Sequence, residues 1–135
     1  MTESPTTEAA ERYAETLAEM ADLVGEEGHT EASRRWDRLV EQLADQRRVL
    51  QESPEGREAI AGHLNDPQPT ARLWSAAAVL FWDEDAARPV LGEIREEPLR
   101  YGLHSIMAKH TLLEYDAGRL TPDAVLPGSP GSPVT

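Results

Sequence analysis

The sequence predicts an all-α protein of about six helices in antiparallel pairs, and three observations lead to this prediction. Ala (18) and Leu (15) far outnumber Val (7) and Ile (3), a balance that favours helices over strands. Apolar residues recur at spacings of three and four, which is the period of an amphipathic helix. Ser-Pro pairs and Gly-containing segments separate these stretches, as helix starts and stops do. An all-β fold is therefore excluded.

The first two predicted helices form an acidic hairpin over residues 1–52. Ser4 and Pro5 mark the first helix start, because proline fits a first turn, and the pattern runs to Gly25. The apolar stripe of this helix consists of Tyr13, Leu17, Met20 and Val24. Thr30 can cap the second helix, whose apolar face consists of Trp36, Leu39, Val40, Leu43 and Leu50. We expect the two helices to pack antiparallel.

Four further helices, arranged as two pairs, are predicted over residues 53–120. Ser53 and Pro54 begin the third helix, and the segment 65–69, which contains two prolines, ends it. The fourth helix, about Thr70–Trp82, is apolar on every side. A helix of this kind must be covered all round by the rest of the protein.

Acidic residues and a glycine set the limits of the last two predicted helices. Asp83, Glu84 and Asp85 mark the start of the fifth helix, where carboxylates meet the positive end of the helix dipole. Pro89 fits this helix only if it falls in the first turn. The sixth helix runs from Pro98 to about Ala117, with Gly118 as a left-handed stop, and it carries the apolar residues Leu99, Leu103, Ile106, Met107 and Leu113.

A shift of 30 residues relates the two helix pairs, as expected for stacked repeats. It superimposes Ile60 on Val90, Gly62 on Gly92, Leu64 on Ile94, Leu73 on Leu103, Ala76 on Ile106 and Ala77 on Met107. The first two helices do not follow this register, so they form either a divergent cap or a docking hairpin.

Length and composition indicate one domain, covering residues 1–120, in a reducing compartment. A chain of 135 residues can enclose one core, and the absence of cysteine excludes disulfides and thiolate sites. Residues 121–135 hold four Pro and two Gly, so we expect a disordered tail there. The longest uncharged bulky stretch, Leu73–Trp82, is ten residues long, whereas a membrane span needs about 20. We therefore expect a cytoplasmic protein that has no contact with membranes.

Two short motifs resemble known helical proteins. Asn65-Asp66-Pro67, followed by Ala71, Arg72, Leu73, Trp74, Ala76, Ala77 and Leu80, resembles the helix-pair signature of HEAT-like repeats. The same Arg-Leu-Trp segment, taken with Pro89-Val90-Leu91, Ala108, Thr111, Leu112, Glu114 and Gly118-Arg119-Leu120, resembles an uncharacterised bacterial family of small HEAT-like proteins, a domain of unknown function. The resemblance covers roughly residues 59–120. It implies a HEAT-like α-solenoid fragment and brings no catalytic residues.

Six acidic residues form a row along the first helix. They are Glu8, Glu11, Glu15, Glu19, Asp22 and Glu26, and they lie within an arc of about 80° opposite the apolar stripe. Residues 1–30 contain eight acids and one base, whereas the whole chain has a net charge of −12. Like charges four residues apart destabilise a helix by about 0.2 to 0.5 kcal/mol per pair. Helix stability alone therefore does not explain this unneutralised row.

The acidic row favours a protein-binding function. A negative face about 27 Å long could occupy the basic groove of a partner and speed association. The net charge has the wrong sign for binding phosphates, which argues against direct nucleic-acid binding. We therefore expect a non-catalytic immunity or antitoxin-type inhibitor that blocks a basic toxin, for example a nuclease. In a variant of this hypothesis the protein mimics nucleic acid, and the carboxylate row stands in for phosphates.

Three alternatives remain open at this stage. The row could be only a solvated face that keeps the protein soluble. A HEAT-like scaffold or regulatory adaptor would bind its partner in a concave groove and would not need the acidic row. An enzyme would require a pocket with perturbed carboxylates.

No catalytic, cofactor or metal site is predicted. We interpret Asp83, Glu84 and Asp85 as helix-capping groups. His29, His63, His104 and His110 lack metal-ligand spacing, and we expect His110, which takes the place of Leu80 in the repeat register, to be half-buried and hydrogen-bonded. Ser75 and Ser105 have no spaced His or Asp partner. We place the aromatic residues Trp74, Phe81 and Trp82 in the core.

Overall fold

Residues 5–23 and 30–121 are the part of the chain that the computed structural model describes, and they form seven α-helices and no strand. The helices are α1 (Pro5–Leu23), α2 (Thr30–Gln51), α3 (Pro54–Ala61), α4 (Pro69–Val79), α5 (Glu84–Glu96), α6 (Pro98–Tyr101) and α7 (Leu103–Asp116), with a 3₁₀ turn (Gly62–Asn65) after α3. The all-α prediction is confirmed. The disordered tail predicted over 121–135 falls, from residue 122 onward, outside the described residues, as do Val24, Gly25, Glu26 and His29.

α1 and α2 pack along each other as the expected antiparallel hairpin. Tyr13, Leu17 and Met20 are buried on α1, and the facing apolar side chains of α2 enter the same core: Trp36, Leu39, Val40, Leu43 and Leu50. Every apolar residue of both stripes that the structure describes is buried. The prediction succeeded here because apolar residues recur with a clear helical period in both helices.

The predicted caps of α3 and α5 are present. The Ser53 side chain accepts a hydrogen bond from the Gly56 amide at 3.0 Å, and the Asp83 carboxylate accepts one from the Ala86 amide at 3.3 Å. Each satisfies a backbone donor that has no partner inside its own helix.

α4 is the central helix and is covered on all sides, as its composition predicts. Every residue from Thr70 to Leu80 is buried except Arg72. The helix ends at Val79, three residues before the predicted limit, because Phe81 and Trp82 donate to carbonyls three residues back and form a turn.

Two predictions about helix continuity are wrong. Pro89 is the sixth residue of α5, so it lies in the second turn and not in the first. It removes one backbone donor inside the helix, yet the helix continues to Glu96. The predicted sixth helix is divided into α6 and α7 by Gly102, whose φ of 55° and ψ of −122° are outside the helical region. Only glycine adopts this conformation readily.

α7 packs against α4, α5 and α6 and ends as predicted. Gly118 has a φ of 75°, and the following amides of Arg119 and Leu120 donate to the Glu114 carbonyl. The Tyr115 hydroxyl donates to the Leu80 carbonyl at 3.1 Å and so ties α7 to the end of α4.

Residues that the 30-residue shift superimposes lie in different environments in the structure. Ala76 of α4 is fully buried, whereas its counterpart Ile106 of α7 is half exposed. α4 has neighbours on all sides, whereas within residues 5–23 and 30–121 nothing packs on the outer side of α7. The HEAT-like solenoid assignment stays a prediction.

Within the described ranges, no helix combines the length and apolar character needed to cross a bilayer.

Candidate protein-binding face

The buried face of α1 fixes which way its acidic side chains point. Tyr13, Leu17 and Met20 have at most 2% of their surface exposed, and the Tyr13 hydroxyl lies 2.9 Å from the buried Ser75 hydroxyl of α4. Burial raises the pKa of Tyr13 to about 12, so the hydroxyl is neutral at physiological pH. Since rotation of α1 would break this packing, its opposite face is held toward solvent.

Five members of the predicted acidic row are described by the structure, and all five are exposed on this outer face: Glu8, Glu11, Glu15, Glu19 and Asp22. At a rise of about 1.5 Å per residue, they extend over about 21 Å. The sixth, Glu26, lies outside the described residues.

The row is partly neutralised by arginines of the protein itself, which the sequence interpretation did not anticipate. Arg12 pairs with Glu8 at 3.1 Å, and Arg35 of α2 pairs with Glu19 at 3.4 Å. About half or more of each of these side chains is exposed, so both pairs contribute little to stability. Glu11, Glu15 and Asp22 form no ion pair with any residue that the structure describes. These three carboxylates are therefore the strongest candidates for contact with a partner.

A shallow groove between α1 and α2 adjoins the acidic row. It has a volume of about 300 Å³ and is lined by Glu8, Ala9, Arg12, Asp45, Gln46 and Val49. The Val49 side chain is 48% exposed. The acidic face therefore has an apolar margin that could accept a small apolar side chain of a partner.

A second polar cluster, centred on Arg72, was not found by sequence reasoning. The Arg72 guanidinium donates to the Leu64 carbonyl at 3.2 Å, to the Tyr101 hydroxyl at 2.9 Å and to the Glu93 carboxylate at 3.1 Å. The hydrogen bond from Arg72 holds the pKa of Glu93 below its usual value. These groups come from α4, α5, α6 and the 3₁₀ turn, so no local spacing in the sequence indicates the cluster.

The Arg72 cluster borders an open cleft of about 390 Å³, with Arg100 at its rim. Arg100 stacks on the Tyr101 ring, 5.0 Å from the ring centroid, and pairs with Glu97 at 3.6 Å. Since both Arg72 and Arg100 pair with Glu93, the cluster ties α4 to α5 and α6. We assign it a structural role.

The described histidines have ordinary structural contacts, and one prediction about them is wrong. The His63 ring nitrogen Nδ1 lies 3.2 Å from an Asp66 carboxylate oxygen, and the buried His104 Nε2 lies 2.8 Å from the Thr70 hydroxyl. His110 was expected to be half-buried but is exposed, because no element of the described chain covers the helix face that carries it.

The remaining candidate groups also lie in structural positions. Ser75 bonds with Tyr13, and the Ser105 hydroxyl donates to the Arg95 carbonyl at 2.9 Å. Among residues 5–23 and 30–121, no group of three or more His, Asp or Glu side chains is placed to hold a metal ion. Trp74 is buried as predicted, while Phe81 and Trp82 are half-buried.

Comparison of the chain with protein-family models, with curated proteins and with solved structures finds no significant match in any of the three. The resemblance to a HEAT-like family therefore stays a prediction.

Proposed function

We propose that this protein is a non-catalytic, cytoplasmic binding protein whose outer α1 face docks onto a basic protein. The observation that carries the proposal is the set of three exposed carboxylates, Glu11, Glu15 and Asp22, which pair with no residue in the described ranges and are held outward by the buried side of the same helix. We propose further that the partner is a toxin, for example a nuclease, and that the protein acts as its immunity or antitoxin-type inhibitor.

Charge complementarity supports this function. In a protein with a net charge of −12, the negative potential of α1 would raise the encounter rate with a basic surface. Once docked, lysines or arginines of the partner would meet carboxylates that have no ion-pair partner among the described residues, so few of the described contacts would have to break. The weak, exposed Glu8–Arg12 and Glu19–Arg35 pairs could exchange for contacts with the partner.

The test compares two full-length variants of equal charge. In the first, Glu11, Glu15 and Asp22 are changed to Lys. In the control, Glu41, Glu58 and Glu96, exposed acids on α2, α3 and α5, are changed to Lys. The partner is captured with the wild-type chain from cells at low ionic strength, identified, purified and titrated against each variant by calorimetry.

We expect the α1 variant to bind the captured partner about 100-fold more weakly, and the control to remain within about threefold of wild type. Added salt should weaken the wild-type complex more than that of the α1 variant, because screening acts on charges that the α1 variant no longer has. Equal losses of affinity in both variants would show that the net charge of the protein governs binding and that the position of the acids on α1 does not. Unchanged affinity of the α1 variant would favour the HEAT-like scaffold or adaptor that binds through another surface.

A further inference from the structure

The outer face of α7 is apolar although nothing in the described part of the chain covers it. Ile106 is 50% exposed and Leu113 is 52% exposed, and their spacing of seven residues places them on one stripe of the helix. On the adjacent α6, Leu99 is fully exposed. In total, three of the four large hydrophobic side chains that are exposed among the described residues lie on α6 and α7.

The inner face of α7 is already filled, so this stripe is not a misplaced core. Met107, Ala108 and Leu112 are buried against the rest of the protein, and the Thr111 hydroxyl donates to the Met107 carbonyl of its own helix. α7 is thus apolar on two opposite sides. A helix with apolar residues all round is normally covered on both sides, as α4 is here.

The charge on this outer face is positive, in contrast to the rest of the protein. Lys109 is the only lysine of the chain and lies between Ile106 and Leu113. It forms no ion pair within residues 5–23 and 30–121. The two carboxylates of α7 are already paired, Glu114 with Arg119 and Asp116 with Arg88. The exposed ring of His110 completes the face, and no acid of α7 is left to neutralise Lys109.

We propose that the outer face of α7, formed by Ile106, Lys109, His110 and Leu113, binds an acidic amphipathic helix of another protein. The apolar stripe of that helix would cover Ile106 and Leu113, and its flanking carboxylates would meet Lys109. Helix-on-helix docking of this kind needs apolar anchors at the spacing observed here. A second copy of this chain fits less well, because each copy carries a charge of −12 and two copies would repel each other.

The test uses two synthetic helical peptides of about three heptads with the same leucine stripe, one flanked by Glu and one by Gln. Each is titrated into the full-length protein and followed by NMR. The variants are Ile106→Asp, which removes an apolar anchor, and Lys109→Glu, which reverses the charge. Gln42→Asp is the control, because it places a new charge on an exposed residue of α2 that lies outside both proposed binding faces.

We expect the Glu-flanked peptide to bind more tightly than the Gln-flanked one and to shift the resonances of Ile106 and Leu113. Ile106→Asp should weaken both peptides about tenfold. Lys109→Glu should weaken only the Glu-flanked peptide, by about fivefold. The Gln42→Asp control should bind as wild type does.

Three results would overturn the proposal. Equal binding of the two peptides with no effect of Lys109→Glu would show that charge does not select the partner. A wild-type dimer that Ile106→Asp dissociates would show that a second copy covers the face. Shifts in the resonances of residues 122–135 on Ile106→Asp substitution would show that the end of the same chain covers it.

Discussion

The Tyr13 hydroxyl of α1 and the Ser75 hydroxyl of α4 are hydrogen-bonded at 2.9 Å inside the core, where neither side chain is more than 1% exposed. The bond joins residues 62 apart in the sequence. It therefore ties the acidic hairpin to the central helix and fixes the rotation of α1. The orientation of the proposed binding face depends on this contact.

Ser75→Ala should destabilise the protein by about 1 to 3 kcal/mol, because it leaves the buried Tyr13 hydroxyl without its partner. The free energy of unfolding is measured by urea denaturation. The double variant Tyr13→Phe with Ser75→Ala removes both polar groups and should be more stable than the sum of the single effects predicts. Strict additivity would show that the two hydroxyls do not stabilise each other.

Alkaline conditions should destabilise the protein through Tyr13. Burial raises its pKa from 10.0 to about 12, so above pH 10 the unfolded chain releases a proton that the folded protein retains. The contribution of the Tyr13 hydroxyl to the free energy of unfolding is fully present below pH 10 and is lost as the pH rises from 10 to about 12. Denaturation midpoints across this range should fall more steeply for wild type than for Tyr13→Phe. If the midpoints of wild type and Tyr13→Phe fell equally with pH, the raised pKa of Tyr13 would be contradicted.

Gly56→Ala should be among the most damaging single-methyl changes in the protein. A Cβ at Gly56 would lie 1.9 Å from the Leu50 carbonyl oxygen, so the backbone of α3 or of α2 would have to move. We expect a loss of about 3 kcal/mol or more in thermal or chemical denaturation.

Gly92→Ala is the control for this change, since nothing lies within 4 Å of a Cβ there. Gly92 is inside α5, where alanine should stabilise the protein by about 0.4 to 1 kcal/mol. Similar changes in the free energy of unfolding for Gly56→Ala and Gly92→Ala would mean that the backbone at Gly56 has room for a Cβ beside the Leu50 carbonyl.

Pro89→Ala should raise stability. Proline in the interior of a helix is about 3 kcal/mol less favourable than alanine, and alanine would restore an amide that can donate to the Asp85 carbonyl. The greater freedom of the unfolded chain offsets about 0.4 to 1 kcal/mol. A net gain of about 2 kcal/mol should appear as a higher urea midpoint, and an unchanged midpoint would show that α5 accommodates the proline ring without strain.

Local signals in the sequence predicted the parts of the fold that depend on local physics. The Ser53 and Asp83 caps and the stop at Gly118 are set by a few neighbouring residues, and all are found where predicted. The break at Gly102 was missed because the apolar pattern continues through it, and an isolated glycine inside such a pattern is usually tolerated.

Tertiary contacts explain what the sequence could not show. The partners of Arg72 come from three other elements, and the pairing of Glu19 with Arg35 depends on how α1 lies against α2. The exposure of His110 and Ile106 depends on the absence of a described neighbour beyond α7. By contrast, helical spacing alone places the acids of α1 on one face of the helix. Their common exposed face could therefore be predicted from the sequence.

Cross-linking of the complex with its captured partner tests the central claim most directly. A carbodiimide joins carboxylates to lysines in direct contact, and mass spectrometry identifies the joined residues. Cross-links from Glu11, Glu15 and Asp22 to lysines around the partner's functional site are the predicted result. Cross-links that instead concentrate on acids of other helices, such as Glu41 and Glu58, would contradict the account.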